Sequence, residues 1–240
     1  MEALLLVGGS GSRMKSIKKN LPKCLLEINN KPFLFWSIKF LMLNNVTKII
    51  LCSNKKDDLI KETVNNLHFA KSKLFFSEEI EKLGTGGAIR QAIEFVTSDN
   101  FVLMNGDVLF DIAIKKLLAK HNKESNDLTY ALLKHSNENI QYGRININED
   151  NEVLNYKYEH TKPNHKYIDS GLRILNKKTI IEYFKTNKKN TLSFEDEIVP
   201  WLIKNKKVKA KLFNTELYDI GNPKSYEKSK LKFEKLEKKL

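Results

Sequence analysis

Apolar side chains follow two rhythms along this chain. In one, short unbroken apolar runs end in turn-forming residues. In the other, apolar residues return every three or four positions. Met1–Val7 is a run of the first kind, closed by Gly8 and Gly9, and predicts a buried strand. Lys31–Asn44 has the second rhythm, with Phe33, Phe35 or Trp36, Phe40 and Leu43 at helical spacing and Pro32 suited to a first helical turn. Further strands are predicted at Lys48–Ser53, Lys73–Ser77 and Asn100–Met104, and helices at Asp57–Leu67, Gly84–Val96 and Ile112–His121. Such alternation builds a parallel sheet with helices on both faces. Ligands bind these sheets beyond the carboxyl ends of the strands. Gly8–Arg13 and Asn105–Asp107 both follow strands and are expected to face one crevice.

Past residue 125 the pattern changes. Thr129–Lys134, Gly143–Ile147, Val153–Tyr158 and Asp169–Leu175 read as strands, with a turn at Asn148–Asn151. Thr179–Phe184 and Phe194–Asn205 look helical, and Lys209–Phe213 and Leu217–Tyr218 return to strand. This mixed, partly antiparallel half should extend or lid the sheet. No linker, repeat or low-complexity block interrupts it. The expectation is one domain over 1–240, made of halves 1–125 and 126–222 and a C-terminal helix or tail, 223–240. In that lysine-rich tail Tyr226, Leu231, Phe233 and Leu236 suit a helix packed on the domain; an amphipathic helix on a membrane or partner is the alternative.

With 240 residues, 41% of them apolar and 30% charged, the chain can bury one large core. Its net charge of +13 would suit nucleic acid or an anionic surface. The lysines are dispersed, however, among many asparagines and isoleucines, and there is neither zinc-finger spacing nor an arginine-rich arm. A biased composition is the preferred reading, and no nucleic-acid partner is expected. A phosphate-rich substrate would gain from the same field. No run approaches the ~18–20 apolar residues of a membrane span. The first apolar run lacks the basic flank of a signal peptide, so a cytoplasmic location is expected. Cys24 and Cys52 lack metal-ligand spacing and are expected to be free thiols.

The stretch LLLVGGSGSRMKS admits three readings. It is nearly a G-x-x-x-x-G-K-S phosphate loop, but Met14 replaces the last glycine; Gly9-x-Gly11 could open a dinucleotide fingerprint, but no third glycine follows. The third reading is a backbone nest for a triphosphate. Gly8, Gly9, Ser10, Gly11 and Ser12 would aim amides at phosphate oxygens, and Arg13 would add a bidentate contact. Lys23, after Pro22, could supply a second cation. The glycines of Leu83-Gly84-Thr85-Gly86-Gly87-Ala88 open a helix, where they are costly unless something must approach closely; a flat nucleobase is one occupant, and helix-capping glycines are the plain alternative. Asp107 and Asp219 each end a strand, where a carboxylate can hold magnesium or merely form a turn. His68, His121, His135, His160 and His165 show no ligand or nucleophile spacing and are mostly expected at the surface. With no G-x-S-x-G elbow, covalent catalysis is not expected.

Taken in order, GGSGSRM, NLPKCLLEINNKP, LGTGGA, NGD, YGRI and DIGNP closely resemble the sugar-1-phosphate nucleotidylyltransferase family. The likeness spans about residues 1–226, and LGTGGA looks most like the branch of D-glycero-D-manno-heptose 1-phosphate and mannose-1-phosphate guanylyltransferases. It implies a Rossmann-like α/β fold, of the nucleotide-diphospho-sugar transferase kind, with a mixed, mostly parallel sheet and a sugar-binding second half. It also implies an enzyme that makes an NDP-sugar and pyrophosphate from an NTP, GTP preferred, and a sugar 1-phosphate. Gly8–Arg13 match the triphosphate loop, Lys23 the lysine at the reacting phosphates, and Gly84–Gly87 the base-binding segment, with Thr85, Gly86 and Asn105 on the nucleotide. Asp107 and Asp219 match the magnesium aspartates, and Tyr142 and Gly143 the loop at the sugar. Arg13, Lys23 and Asp107 are the catalytic candidates.

Two stretches depart from the family pattern. Where the family has E-K-P this chain reads YKYEHTKP, so Glu159 is the acid candidate and Lys157 or Lys162 the lysine that meets the sugar phosphate. Where many members have N-x-G-I-Y it reads Asp169-Ser170-Gly171-Leu172-Arg173; Asp169 and Gly171 are then the candidates for the sugar. The alternatives are a cytidylyltransferase for another phosphorylated substrate and an inactive nucleotide-binding regulatory subunit. A homo-oligomer is compatible with the sequence.

Overall fold

The structure, a computed structural model, describes residues 1–9, 14, 21–67, 69, 73–134, 142–157 (of Lys157 the backbone alone) and 166–240. The first half alternates as expected. Strand β1 is Glu2–Leu6. A 3-10 turn at Lys23–Leu25 follows, then a small hairpin of β2 (Glu27–Ile28) and β3 (Lys31–Pro32). Asn29 and Asn30 make that turn, both with positive φ, 50° and 58°. Helix α1 therefore begins at Phe33 rather than Lys31, and runs to Leu43. Next come β4 (Lys48–Asn54), α2 (Asp58–Asn66), β5 (Leu74–Glu79) and α3 (Gly84–Ala92). The expected helix to Val96 tightens into a 3-10 turn at Ile93–Phe95. Then follow β6 (Asn100–Asn105), the short β7 (Val108–Phe110) and α4 (Ile114–Lys123).

The second half adds β8 (Leu128–Lys134), β9 (Arg144–Ile147), β10 (Val153–Lys157), β11 (Tyr167–Asn176) and α5 (Lys177–Thr186). The helix expected over Phe194–Asn205 is a π-helical turn, Phe194–Ile198, leading into α6, Val199–Asn205. Pro200 has no N–H to return to Asp196, which accounts for the break. Strands β12 (Val208–Phe213) and β13 (Leu217–Asp219) and helices α7 (Pro223–Lys232) and α8 (Glu234–Glu237) close the chain.

Strands β6, β1, β4 and β5 lie side by side and parallel. Beyond β6 the sheet turns antiparallel, with β11 paired to β6, β8 and β9, and β12 parallel to β8. Because β4 and β6 flank β1 on opposite sides, the connection reverses at β1, and a crevice opens at the carboxyl ends there. Leu6 and Asn105 are register partners, so Val7–Gly9 and Gly106–Asp107 emerge next to each other. A Cβ on Gly106 would stand 2.7 Å from the Leu6 carbonyl oxygen; only glycine fits this approach.

Both faces of the sheet are buried. Ala3, Leu5 and Val7 pack with α1, α2 and α4, while Leu4, Ile50 and Cys52 face α3, α5 and α6. Cys24 and Cys52 are free, as expected, and both are buried. The tail packs on the domain: Phe233 stacks edge-on against Trp36 and Tyr218, Leu236 is buried, and the Tyr226 hydroxyl donates to the Glu27 carbonyl, 2.7 Å. His121 corrects an expectation: it is 1% exposed, its Nδ1 2.9 Å from the Thr129 hydroxyl. It falls on the inward face of α4, and the neutral ring is small enough to pack there. The other four histidines, His68, His135, His160 and His165, lie outside the described residues.

Candidate active site

The crevice is built where β6 ends. Asn105 closes the strand, Gly106 turns against β1, and Asp107 sits half-buried before β7. Strand β13 pairs antiparallel with β7, placing Asp219 opposite Val108, and the Ile220 amide donates to the Asp107 carbonyl, 3.0 Å. Asp107 and Asp219, far apart in sequence, thus line one cleft. This two-stranded ribbon was not foreseen for its β7 side: three apolar residues after a turn carry too weak a period to read.

Each aspartate is held. The Lys23 ammonium rests on Asp107 Oδ2. The Tyr142 hydroxyl donates to Asp219 Oδ2, 2.9 Å, and the Gly221 amide to Oδ1, 2.6 Å. Behind it, the Ser229 hydroxyl of α7 bonds the Asp219 backbone at N and O, 2.9 and 3.0 Å. Burial raises the Asp219 carboxyl above its ordinary range, and the charge of Asp107 adds to the rise. Burial also raises the Tyr142 phenol, with Asp219 as the second cause, so Tyr142 stays a neutral donor. Among the described residues no cluster of three or more acidic, histidine or cysteine side chains could cage a metal. Two carboxylates on one cleft fit magnesium, a hard cation commonly held by one or two carboxylates together with substrate phosphates.

The other candidates are distributed as follows. Gly8 and Gly9 are exposed just past the end of β1, Gly8 bonded to the Cys52 carbonyl (2.8 Å) and Gly9 with nothing among the described residues within 4 Å of where a Cβ would stand. Ser10, Gly11, Ser12, Arg13, Glu159 and Lys162 lie outside the described residues, as does the Lys157 side chain. Tyr142, Gly143, Asp169 and Gly171 line the cleft with the aspartates. The glycines at the start of α3 have a packing reason of their own. Gly84 has φ +74°, and a Cβ there would lie 2.4 Å from the Leu192 carbonyl oxygen; Gly86 and Gly87 press on Leu192, Leu83 and Asn190. The Thr85 hydroxyl donates to Glu195 Oε2, 2.7 Å. Asp169 and Asn105 likewise have internal partners, both bonding Arg173. Arg173, Glu195, Tyr156 and Asn222 were not singled out from sequence. Only Arg173 carried a signal: a charge inside the apolar run Leu172–Leu175.

The sequence profile of the family described as nucleotidyl transferase matches residues 2–235. The chain belongs to the nucleotidyl transferase family. A D-glycero-alpha-D-manno-heptose 1-phosphate guanylyltransferase of Campylobacter jejuni is 34% identical to this nucleotidyl transferase over 226 residues, 94% of this chain and 97% of that one. A protein of the same description from Aneurinibacillus thermoaerophilus is 35% identical over 231 residues, 95% of this chain and 96% of that one. Among solved structures, HddC from Yersinia pseudotuberculosis complexed with GMP-PN superposes with a TM-score of 0.84 at 31% identity, covering 97% of this chain and 99% of that one.

Proposed function

We propose that this nucleotidyl transferase moves the guanylyl group of GTP onto the phosphate of a heptose or mannose 1-phosphate, releasing pyrophosphate. The observation that carries the reading is the ribbon that sets Asp107 and Asp219 on one cleft, with Lys23 on Asp107. The guanylyltransferase relatives support the choice of donor and sugar. An oxygen of the sugar phosphate is already nucleophilic. It forms a bond to the α-phosphorus while the bond from that phosphorus to the bridging oxygen of the pyrophosphate breaks. Positioning and charge neutralisation suffice, without a covalent intermediate. The Gly8–Ser12 amides and Arg13 hold the β- and γ-phosphates, and Lys23 offsets charge at the reacting phosphate. Asp107 and Asp219 would hold magnesium, which neutralises phosphate charge when bound. The base meets the glycine-rich start of α3, and the sugar meets Tyr142, Gly143, Asp169 and Gly171, with Glu159 on its hydroxyls and Lys157 or Lys162 toward its phosphate. No helix among the described residues is long and apolar enough to cross a membrane; the nucleotide substrate favours work in the cytoplasm.

The test crosses the four NTPs with mannose, glucose and heptose 1-phosphates and measures pyrophosphate release with added magnesium. GTP with heptose or mannose 1-phosphate should give the highest kcat/KM. A preference for CTP or UTP would overturn the guanylyl assignment, and a failure of every pair would overturn the enzyme.

A further inference from the structure

Arg173 takes no part in the reaction above, yet it is a 1% exposed guanidinium whose surroundings are fully specified. Such a charge is costly on an apolar strand unless its donors are met. Here Nε donates to Asp169 Oδ2 at 3.0 Å, Nη2 donates to the same oxygen and lies 3.5 Å from Glu195 Oε1, and Nη1 donates to Asn105 Oδ1 at 3.2 Å. The rings of Phe194 and Tyr130 flank it, centroids 5.1 and 5.7 Å from Cζ.

Asp169 and Arg173 should not meet. Four residues along a regular strand span about 13 Å. Gly171, with φ +82°, kinks β11, and the register with β8 slips between Asp169 and Arg173. A Cβ on Gly171 would strike Val108 Cγ2 at 2.8 Å. The kink swings the Asp169 carboxylate into the cleft and onto Arg173.

From Arg173 the contacts run both ways. Asn105 stands two residues before Asp107, at the strand end that lines the cleft with Tyr142, Gly143 and Gly171. Glu195 accepts from the Thr85 hydroxyl at 2.7 Å, and that hydroxyl accepts from the Phe194 amide at 2.9 Å. Thr85 belongs to the glycine-rich start of α3, on the nucleotide side.

We propose that Arg173 is a positioning residue that ties the Asn105–Asp107 strand end to the glycine-rich start of α3 through Glu195 and Thr85, fixing the spacing between the two half-sites. The catalytic consequence rests on the proposed function; the mechanical coupling does not. Lysine offers a point charge, not a planar fork, and cannot reach Asp169, Asn105 and Glu195 together.

The experiment compares the full-length protein with Arg173→Lys, Glu195→Gln and the double variant, by amide hydrogen exchange and by steady-state kinetics. Each single variant should speed exchange in both Gly84–Ala92 and Asn105–Asp107 while the distant β4 amides keep their protection. Each should lower kcat about tenfold or more with both KM values held within about threefold, as a misplacement does. The double variant should be no worse than the poorer single one, because both break one link. Unchanged exchange at Asn105–Asp107 in Glu195→Gln overturns the proposal. So does a uniform rise across the sheet, a kcat within about twofold of wild type, or losses that multiply. If Arg173→Lys does not fold, Glu195→Gln decides by its exchange at Asn105–Asp107. If the wild type transfers no nucleotide, the functional reading fails, and the exchange data still decide the coupling.

Discussion

The ammonium of Lys23 sits on the carboxylate of Asp107, joining the turn after Pro22 to the turn between β6 and β7. The two charges offset each other, and Asp107 lines the cleft. Asp107→Ala and Lys23→Met should each cut turnover about 10²–10³-fold, about 3–4 kcal/mol of lost transition-state stabilisation. Arg13→Ala should do the same. Thermal unfolding of each variant should stay near wild type, since Asp107 is only half-buried. Near-normal kcat in Asp107→Ala would remove it from the mechanism.

Asp219 depends on Tyr142 in another way. Its carboxylate is buried and takes one of its bonds from that phenol. Tyr142→Phe should lower the unfolding free energy by about 1.5–3 kcal/mol, the range for a hydrogen bond to a charged group. Urea denaturation measures this, and a loss below about 0.5 kcal/mol would mean water replaces the hydroxyl without cost.

Gly84 and Gly9 separate packing from ligand approach. Gly84→Ala forces a side chain to φ +74° and into the Leu192 carbonyl. It should cost about 2 kcal/mol or more, seen as a fall in Tm of about 4–8 °C. Gly9→Ala meets nothing among the described residues within 4 Å and should change stability by less than about 0.5 kcal/mol. Loss of nucleotide affinity in Gly9→Ala alone would mark that loop as the place where phosphate meets backbone.

His121 makes stability depend on pH. Burial lowers its pKa to about 4, against a weaker opposite pull from Asp127. The unfolded ring titrates near 6.5. Between these values the unfolded chain holds the extra proton, so stability is complete above about pH 6.5 and falls as pH drops toward 4. The loss should reach about 3 kcal/mol. His121→Leu should flatten that part of a Tm–pH curve, and an unchanged slope would refute the assignment.

The parallel half was legible because each of its strands is an apolar run that ends in a turn residue. Val7 before Gly8 and Met104 before Asn105-Gly106-Asp107 are such ends, and they place the crevice. The hairpin at Asn29-Asn30 and the strand at Val108–Phe110 were lost because two or three residues cannot express a period. The inward turn of His121 was lost for a different reason: one polar residue on a helix face gives no sign of whether a partner such as Thr129 awaits it. Arg173 shows the reverse case. Its cost on an apolar strand was visible, but its partners come from β6, from its own kinked strand and from the π-helical turn, and only the fold brings those together.

The β7–β13 ribbon also sets a schedule for biosynthesis. Val108 leaves the ribosome well before its partner Asp219, and the α7 serine that steadies Asp219 comes later still. Most of the sheet can fold on the nascent chain while the cleft lacks one of its two acids. A partly made copy can therefore be a well-packed body that holds no complete site, and competence arrives when β13 pairs with β7 and α7 docks behind it.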